Sequence, residues 1–364
     1  MSARNEQVYA ETAASMTDKN PLTAGEATGV SKPQWKLVEL FRADLSHAHW
    51  WLPRKSRVHS VAGSVSSAAM SCTKIDPALH QAKKPDWIKV RLPSNPVFFS
   101  TKALISDLKL HTVCEEAQCP NRWECWSAGT ATFMIAGDRC TRACGFCAVT
   151  TAKPFALEAD EPERVAQAVL RMKLKHVVIT AVARDDLKDG GAEHFAQVIG
   201  AIRAADPRIV IEVLTPDFHA KEECLQMVAA AAPEIFNHNI ETVERLTPLV
   251  RSRAKYRLSL QVLRRMKEIA PEIVTKSGMM LGLGETEPEI FQAMDDLRDA
   301  GVQVLTLGQY LRPTPQHLPV VAYIHPDTFK FYGEIAERKG FEHVASGPLV
   351  RSSYHAADFA PVKR

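Results

Sequence analysis

Three cysteines within eight residues, Cys140-Thr-Arg-Ala-Cys144-Gly-Phe-Cys147, constrain this chain more than any other stretch. A segment so short has no core of its own, so thiols crowded onto it need something to gather round. Four protein ligands would close a tetrahedral zinc site or tie down every iron of a four-iron cluster. A local set of three leaves one coordination position free, and a free position is where a metal site does chemistry. A second triplet, Cys114-x4-Cys119-x5-Cys125, stands upstream, so six of the eight cysteines fall between residues 114 and 147. A lone cysteine is most simply a small buried hydrophobe, and Cys72 and Cys224, outside both triplets, are read that way. Clustering argues against that reading for the other six. Structural zinc is the rival, but zinc sites usually pair two-residue spacings or mix in histidine, and neither triplet does so.

The rest of the chain bounds the context. With 364 residues there is room for one large domain or two ordinary ones around a well-buried core. Hydrophobic residues at 46%, charged residues at 24% and a net charge of +3 exclude a nucleic-acid-coating protein and a wholly disordered one. No apolar run of about eighteen residues and no secretory signal pattern are present, so neither a nucleic-acid nor a membrane partner is expected. Cysteines too few for a disulfide scaffold, yet clustered, suit metal binding in a reducing, cytoplasmic setting. Residues 1–70 show little periodicity and are rich in Ala, Ser and Thr; Glu6, Glu11, Asp18 and Glu26 argue against a transit peptide. The compositional break there makes Met70 the expected start and 1–70 a disordered or mis-assigned leader, with Trp35, Trp50 and Trp51 as stray aromatics.

Beyond the leader, residues 71–128 read as an extension carrying the first triplet, with a helix over 101–110. A domain over 129–346 alternates apolar strands with amphipathic helices, and 347–364 forms a tail. Strands are expected at 130–136, 175–182, 209–214, 235–240, 273–280, 302–307 and 342–346. Helices are expected at 161–173, 191–204, 219–231, near 242–249, and at 257–269, 287–299 and 326–338. Such alternation implies parallel strands with right-handed crossovers, hence an α/β fold, open and doubly wound or curled into a barrel. Six main units favour a partial (β/α)6 barrel of TIM type with an N-terminal cluster-binding extension and a short C-terminal tail.

The spacing of three residues and then two, with aromatic Phe146 before the last cysteine, resembles the signature of radical S-adenosylmethionine enzymes. The resemblance implies that Cys140, Cys144 and Cys147 hold three irons of a [4Fe-4S] cluster whose fourth iron binds the cofactor. It also points to the loop Val182-Ala-Arg-Asp-Asp-Leu-Lys-Asp-Gly-Gly191, where Arg184 and Asp185 are the residues favoured for cofactor contact. On the fourth barrel strand Asn237, Asn239 and Glu241 share one face by the two-residue period, and a buried polar row needs partners. They are candidates for holding the ribose or methionine part. His238 between them reads as a satisfied core histidine. Lys276, late in a strand and costly unless paired, is a candidate for a carboxylate contact. The glycines at 278–284 do not form a useful dinucleotide fingerprint.

Taken together, the two triplets, Gly129-Thr-Ala-Thr-Phe-Met-Ile, Asn237-His-Asn-Ile-Glu-Thr, Thr275-Lys-Ser-Gly-Met, Gly308-Gln-Tyr-Leu-Arg-Pro-Thr and Arg351-Ser-Ser-Tyr resemble the lipoyl synthase family from about Pro85 to about Ala357. The resemblance implies an auxiliary [4Fe-4S] cluster on Cys114, Cys119 and Cys125 with Ser353 as its fourth, catalytically labile ligand, since a serine oxygen is a harder ligand than thiolate. It implies radical insertion of two sulfur atoms at C6 and C8 of an octanoyl chain, with S-adenosylmethionine and two clusters as cofactors. Implied partners are octanoylated lipoyl carrier domains of 2-oxoacid dehydrogenase subunits and of the glycine-cleavage carrier protein, a flavodoxin or ferredoxin reductant, and a cluster-repair protein. Carbons without an acidic proton or leaving group are out of reach of acid–base or nucleophilic side chains, in keeping with the absence of a Ser-His-Asp arrangement. Two features depart from the family pattern: the leader, and Arg251-Ser-Arg-Ala-Lys255 where an Arg-Pro-Gly-Ala-like loop is expected. Rivals are a biotin-synthase-like sulfur inserter, an RNA methylthiotransferase, for which the tail leaves no room for a nucleic-acid domain, and a scaffold holding two zincs.

Overall fold

Parallel strands cannot be joined by tight turns, so each apolar run here needs a crossover, and that requirement builds the domain. The computed structural model describes residues 83–88, 95–251, 253–354 and 356. The expected leader and the expected start at Met70 lie outside them. A short strand β1 (His111–Thr112) pairs antiparallel with β2 (Thr132–Ile135). From β2 onward the sheet is parallel, through β3 (His176–Ala181), β4 (Val210–Leu214), β5 (Ile235–Asn237), β6 (Val274–Leu281), β7 (Val304–Gln309) and β8 (His343–Gly347). Spatial order follows chain order, and among the described residues no ladder joins β8 to β1. The barrel is therefore open along one side, as the partial-barrel reading requires.

Helices cover the outside. In the extension lie α1 (Pro96–Asp107), α2 (Val113–Glu116) and α3 (Arg122–Ser127); the crossovers are α4 (Glu161–Arg171), α5 (Ala192–Ala205), α6 (Glu222–Ala230), α7 (Tyr256–Ile269), α8 (Glu287–Asp299) and α9 (Pro326–Arg338). On α4, Val165, Ala166, Ala168 and Val169 are buried, the three-and-four spacing of a helix laid on a sheet. They pack with Val177 and Ile179 of β3 and with Phe195, Val198 and Ile199 of α5. Each such fully buried aliphatic side chain contributes roughly 1.5–3 kcal/mol. Among the described residues no helix is long and apolar enough to cross a membrane.

Four elements differ from the sequence expectation, the first two for a plain local reason. Helix α1 begins at Pro96 rather than near 101, because the Asn95 side chain accepts the Val97 N–H and proline occupies the first turn. Helix α6 starts at Glu222 because Phe218, His219 and Ala220 adopt left-handed φ values of 44°, 54° and 52°. The strand expected to reach residue 240 ends at Asn237; the chain rejoins the sheet only where Glu241, at φ 66°, bridges to Met279. The helix expected near 242–249 is reduced to a 3-10 turn at Glu244–Leu246 and a single helical turn at Thr247–Val250.

Candidate functional site

The 140–147 triplet rides on the loop after β2, at the carboxyl end of the parallel strands where barrels of this kind place their sites. Ala136 and Gly137, at φ 66° and 92°, turn the chain out of the strand. Arg139–Cys140 then forms a short parallel ladder with Thr150–Thr151. Between the first two cysteines, Arg142 reaches under the barrel mouth. Its guanidinium donates to Asp185 at 2.9 and 2.7 Å and to Asp217 at 2.7 and 2.8 Å. Burial alone would push the Asp217 carboxyl up, but Arg142 outweighs it and holds that carboxyl well below the usual carboxylate range. Thr141 adds an N–H and a hydroxyl donated to the Ala183 carbonyl at 3.0 and 2.9 Å. On the other side, Gly145 donates its N–H to Val250 O at 2.9 Å and accepts from Leu318 N at 3.0 Å. An added Cβ at Gly145 would come within 3.0 Å of the Leu318 side chain, so the approach requires glycine. His317 Nε2–H donates to the Cys147 carbonyl at 2.9 Å.

The other triplet sits in the extension. Cys114 lies in α2, Cys125 in α3, and Cys119 between them donates its N–H to the Cys114 carbonyl at 3.1 Å. Trp126, fully buried, and Trp123 pack on Phe98 of α1, anchoring this segment. The tail comes back over it. Asn121 Nδ2 donates to Leu349 O at 2.6 Å, Gln309 N to Pro348 O at 3.3 Å, and the Tyr354 hydroxyl to Glu124 at 2.9 Å. At Gly308 the tail crosses so closely that a methyl group would overlap Val350 O.

A single cavity of about 580 Å³ joins the two halves. Cys114, Cys119, Cys125 and Ser353 of the extension and tail line it together with Phe146, Cys147, Asn239 and Glu241 of the barrel, whereas Cys140 and Cys144 do not. All six thiols are free. Burial pushes Cys114 and Cys144 up to about 11 and Cys125 and Cys147 up to about 12, and within each triplet the thiols repel one another's charge. Such a set becomes thiolate only when a cationic group neutralises it, which is the chemistry of metal ligands. Among the described residues no three Cys, His, Asp or Glu side chains converge as a single ion requires. Soft thiolate donors in threes, each set leaving one position open, are the donor set that an iron–sulfur group takes.

Beside the cavity, next to its lining residue His176, the barrel holds a buried polar cluster. Glu212 and Lys276, both with no exposed side-chain surface, pair at 2.8 Å, and Asn237 Nδ2 donates to the same carboxylate at 3.1 Å. The carboxylate that Lys276 meets is therefore the chain's own. Burial would raise the Glu212 carboxyl; the Lys276 ammonium, with His176 beside it, overrides this and holds it low. His238 is satisfied as a core residue: its Nδ1–H donates to Thr215 O at 2.9 Å, so Nε2 accepts from Ser259 Oγ at 2.9 Å, and burial pushes it down to about 4. Arg184 is likewise engaged internally, with Ala136 O at 3.1 Å, Phe155 O at 3.0 Å and Asp186 at 2.8 Å. Of the residues picked from sequence for cofactor contact, Phe146, Asn239 and Glu241 line the cavity, while Arg184, Asp185, Lys276 and the row-mate Asn237 do not. Sequence reasoning missed Arg142, Asp217, Glu212, Arg251 and Ser352. Arg251, first residue of the loop that departs from the family pattern, donates to Asn239 O at 2.9 Å and steadies the turn into Glu241.

Comparison with known proteins adds what geometry cannot. The radical SAM superfamily profile matches residues 134–297, and the profile for the N-terminal domain of lipoyl synthase matches residues 68–119. A lipoyl synthase of Shouchella clausii is 58% identical over 275 residues, covering 75% of this chain and 89% of that protein. One from Geobacillus kaustophilus is also 58% identical, covering 75% of this chain and 92% of that protein. Among solved structures, methylornithine synthase aligns over 68% of this chain and 77% of that one at 11% identity with a TM-score of 0.46, too remote to carry a functional statement.

Proposed function

Because this chain belongs to the lipoyl synthase family of radical S-adenosylmethionine enzymes, we propose a division of its cavity into two working halves, each assigned to named residues. The enzyme inserts two sulfur atoms, at C6 and C8, into an octanoyl chain carried on a protein, and uses S-adenosylmethionine and two [4Fe-4S] clusters. Cys140, Cys144 and Cys147 hold the cluster that binds S-adenosylmethionine; Cys114, Cys119, Cys125 and Ser353 hold the auxiliary one. When bound, these groups supply the one-electron chemistry and the inserted sulfur. Phe146, Asn239 and Glu241 contact the cofactor; Asp185 acts through Arg142 on the 140–147 loop, while Arg184 and Lys276 are engaged within the barrel. The observation that supports this reading is the shared cavity, lined by Cys114, Cys119, Cys125 and Ser353 together with Cys147 of the other triplet.

The chain's own contribution is binding, alignment and exclusion of water. Arg142 and Gly145 fix the 140–147 loop against β3, β4 and the 247–250 turn. Val113, Val178, Leu214, Met279 and Leu311 give the cavity apolar walls suited to an alkyl chain and to a reactive carbon that must not meet solvent. The carriers are lipoyl domains of 2-oxoacid dehydrogenase subunits and the glycine-cleavage carrier protein; a flavodoxin or ferredoxin delivers electrons, and a repair protein rebuilds the auxiliary cluster, in the cytoplasm. The test uses anaerobically reconstituted full chain with an octanoyl-lysyl peptide. Wild type should hold about eight irons, four for each cluster. Cys144→Ala should abolish cofactor cleavage, whereas Cys119→Ala should keep cleavage and stop thiolation. Equal loss of cleavage in both variants refutes the division.

A further inference from the structure

The two halves of the cavity are not joined by the backbone nearby, yet one side chain touches both. Asn239 Nδ2 donates to Glu241 Oε1 at 3.1 Å and to Ser352 Oγ at 2.7 Å. Glu241 belongs to the half around the 140–147 triplet, lining the cavity with Phe146 and Cys147. Ser352 belongs to the other half. It precedes Ser353, and its neighbour Tyr354 donates its hydroxyl at 2.9 Å to Glu124, the residue before Cys125. The contact spans 113 residues of sequence and is tightly placed. Asn239 is buried, and Gly278 beneath it leaves no room for a side chain: an added Cβ would meet Asn239 Oδ1 at 2.9 Å. Glu241 is fixed from the backbone side by its left-handed turn and by Arg251, which grips the Asn239 and Ile240 carbonyls.

We propose that Ser352 is a positioning residue that latches the tail to the cofactor half of the cavity, so that Ser353 is set over the auxiliary triplet only while Asn239 and Glu241 hold their arrangement. This rests on the assignment of Ser353 as a cluster ligand. The remaining tethers at Pro348, Leu349 and Tyr354 hold the tail to the extension and to β7; the Ser352 bond turns the intervening segment toward the barrel. Both N–H groups of the Asn239 amide are then used, one on each half, and a shift of Glu241 is transmitted to Ser352 through a single rigid amide.

The test compares wild type with Ser352→Ala and Ser352→Thr as full chains. Hydrogen exchange of amides in 348–354 is read in the metal-free and the reconstituted protein, and the ratio of 5′-deoxyadenosine formed to sulfur inserted is read during turnover. Loss of one net hydrogen bond gives about a fivefold effect. Ser352→Ala should speed tail exchange about fivefold even without metal, leave cofactor cleavage within about twofold of wild type, and raise the ratio about fivefold; Ser352→Thr, which keeps the hydroxyl, should behave as wild type. Unchanged tail exchange in Ser352→Ala overturns the latch, as does equal disruption by alanine and threonine or a loss of cleavage matching the loss of thiolation. Should wild type itself insert no sulfur, the assignment of function fails while the exchange measurement still decides whether the latch exists.

Discussion

Replacing Lys276 by methionine would leave the Glu212 carboxylate in the barrel floor without its cation. In the native chain Nζ donates to both carboxylate oxygens, at 2.8 and 3.1 Å, and neither side chain has exposed surface. Removing one partner of such a pair costs about 3–5 kcal/mol, because the other charge stays buried. His176 Nε2, 3.5 Å from the carboxylate, stays as its remaining neighbour, and protonating Glu212 sets the upper bound on the loss. Drawing a proton onto a carboxyl of ordinary pKa costs about 3.7 kcal/mol at about pH 7 and about 1 kcal/mol at about pH 5. The loss on Lys276→Met is therefore capped near the first figure at neutral pH and should shrink by about 2.7 kcal/mol on acidification to about pH 5. In wild type the sign runs the other way. Glu212 is held below its unfolded value, so its contribution is complete above the ordinary carboxylate range and is lost only as pH falls through the lowered folded value. Urea unfolding of the full chain, wild type and variant side by side at both pH values, reads the gap. Adding Glu212→Gln to Lys276→Met should recover at least half of the neutral-pH loss, since both charges are then gone. A neutral-pH gap below about 1 kcal/mol, or a gap that does not narrow with acid, refutes a closed ion pair at this position.

Two further perturbations separate the halves of the cavity. Arg142→Lys cannot keep two bidentate carboxylate contacts, so reconstituted chain should fall from about eight irons toward about four while the 114–125 site stays loaded; full iron content would show that the clamp does not position the loop. Gly308→Ala should do the reverse: its methyl overlaps Val350 O and lies 3.2 Å from Arg351 Nη1, so the tail is displaced and a chelator should strip the auxiliary site faster while the 140–147 site releases iron at the wild-type rate.

The fold was legible wherever a local period carries the information. Strand and helix positions follow from apolar runs and helical stripes, and the thiol triplets declare themselves because their ligands are neighbours in sequence. What could not be read is what folding brings together from a distance. Arg142 meets Asp217 across 75 residues and Ser352 meets Asn239 across 113, with no local pattern at either end. Glu212 did carry a signal, a lone carboxylate in the apolar strand Val210-Ile-Glu-Val-Leu214. Set against the equally isolated Lys276 one strand beyond β5, it could have been recognised as that lysine's partner. Antiparallel β1 was missed because two residues are too few to show alternation.

Depth in the barrel, more than residue type, decides what a buried polar group does here. Asn237, Asn239 and Glu241 follow one two-residue period, and the first would look as much like a ligand group as the others. Asn237 itself does not line the cavity, so its Nδ2, which unpaired would cost on the order of 1–3 kcal/mol, finds its partner within the barrel in Glu212. Two residues on, Asn239 stands at the cavity wall, and its partner arrives from the far end of the chain. Glu241 is there too, but burial pushes its carboxyl up and leaves it with an amide and the charge of Arg251 in place of a close ion pair. A carboxyl so poorly compensated gains from any donor brought into the cavity, whereas Glu212, already paired, gains nothing. The polar row thus changes from scaffold to cavity wall within five residues, at the point where the strand breaks and Arg251 takes hold of its carbonyls.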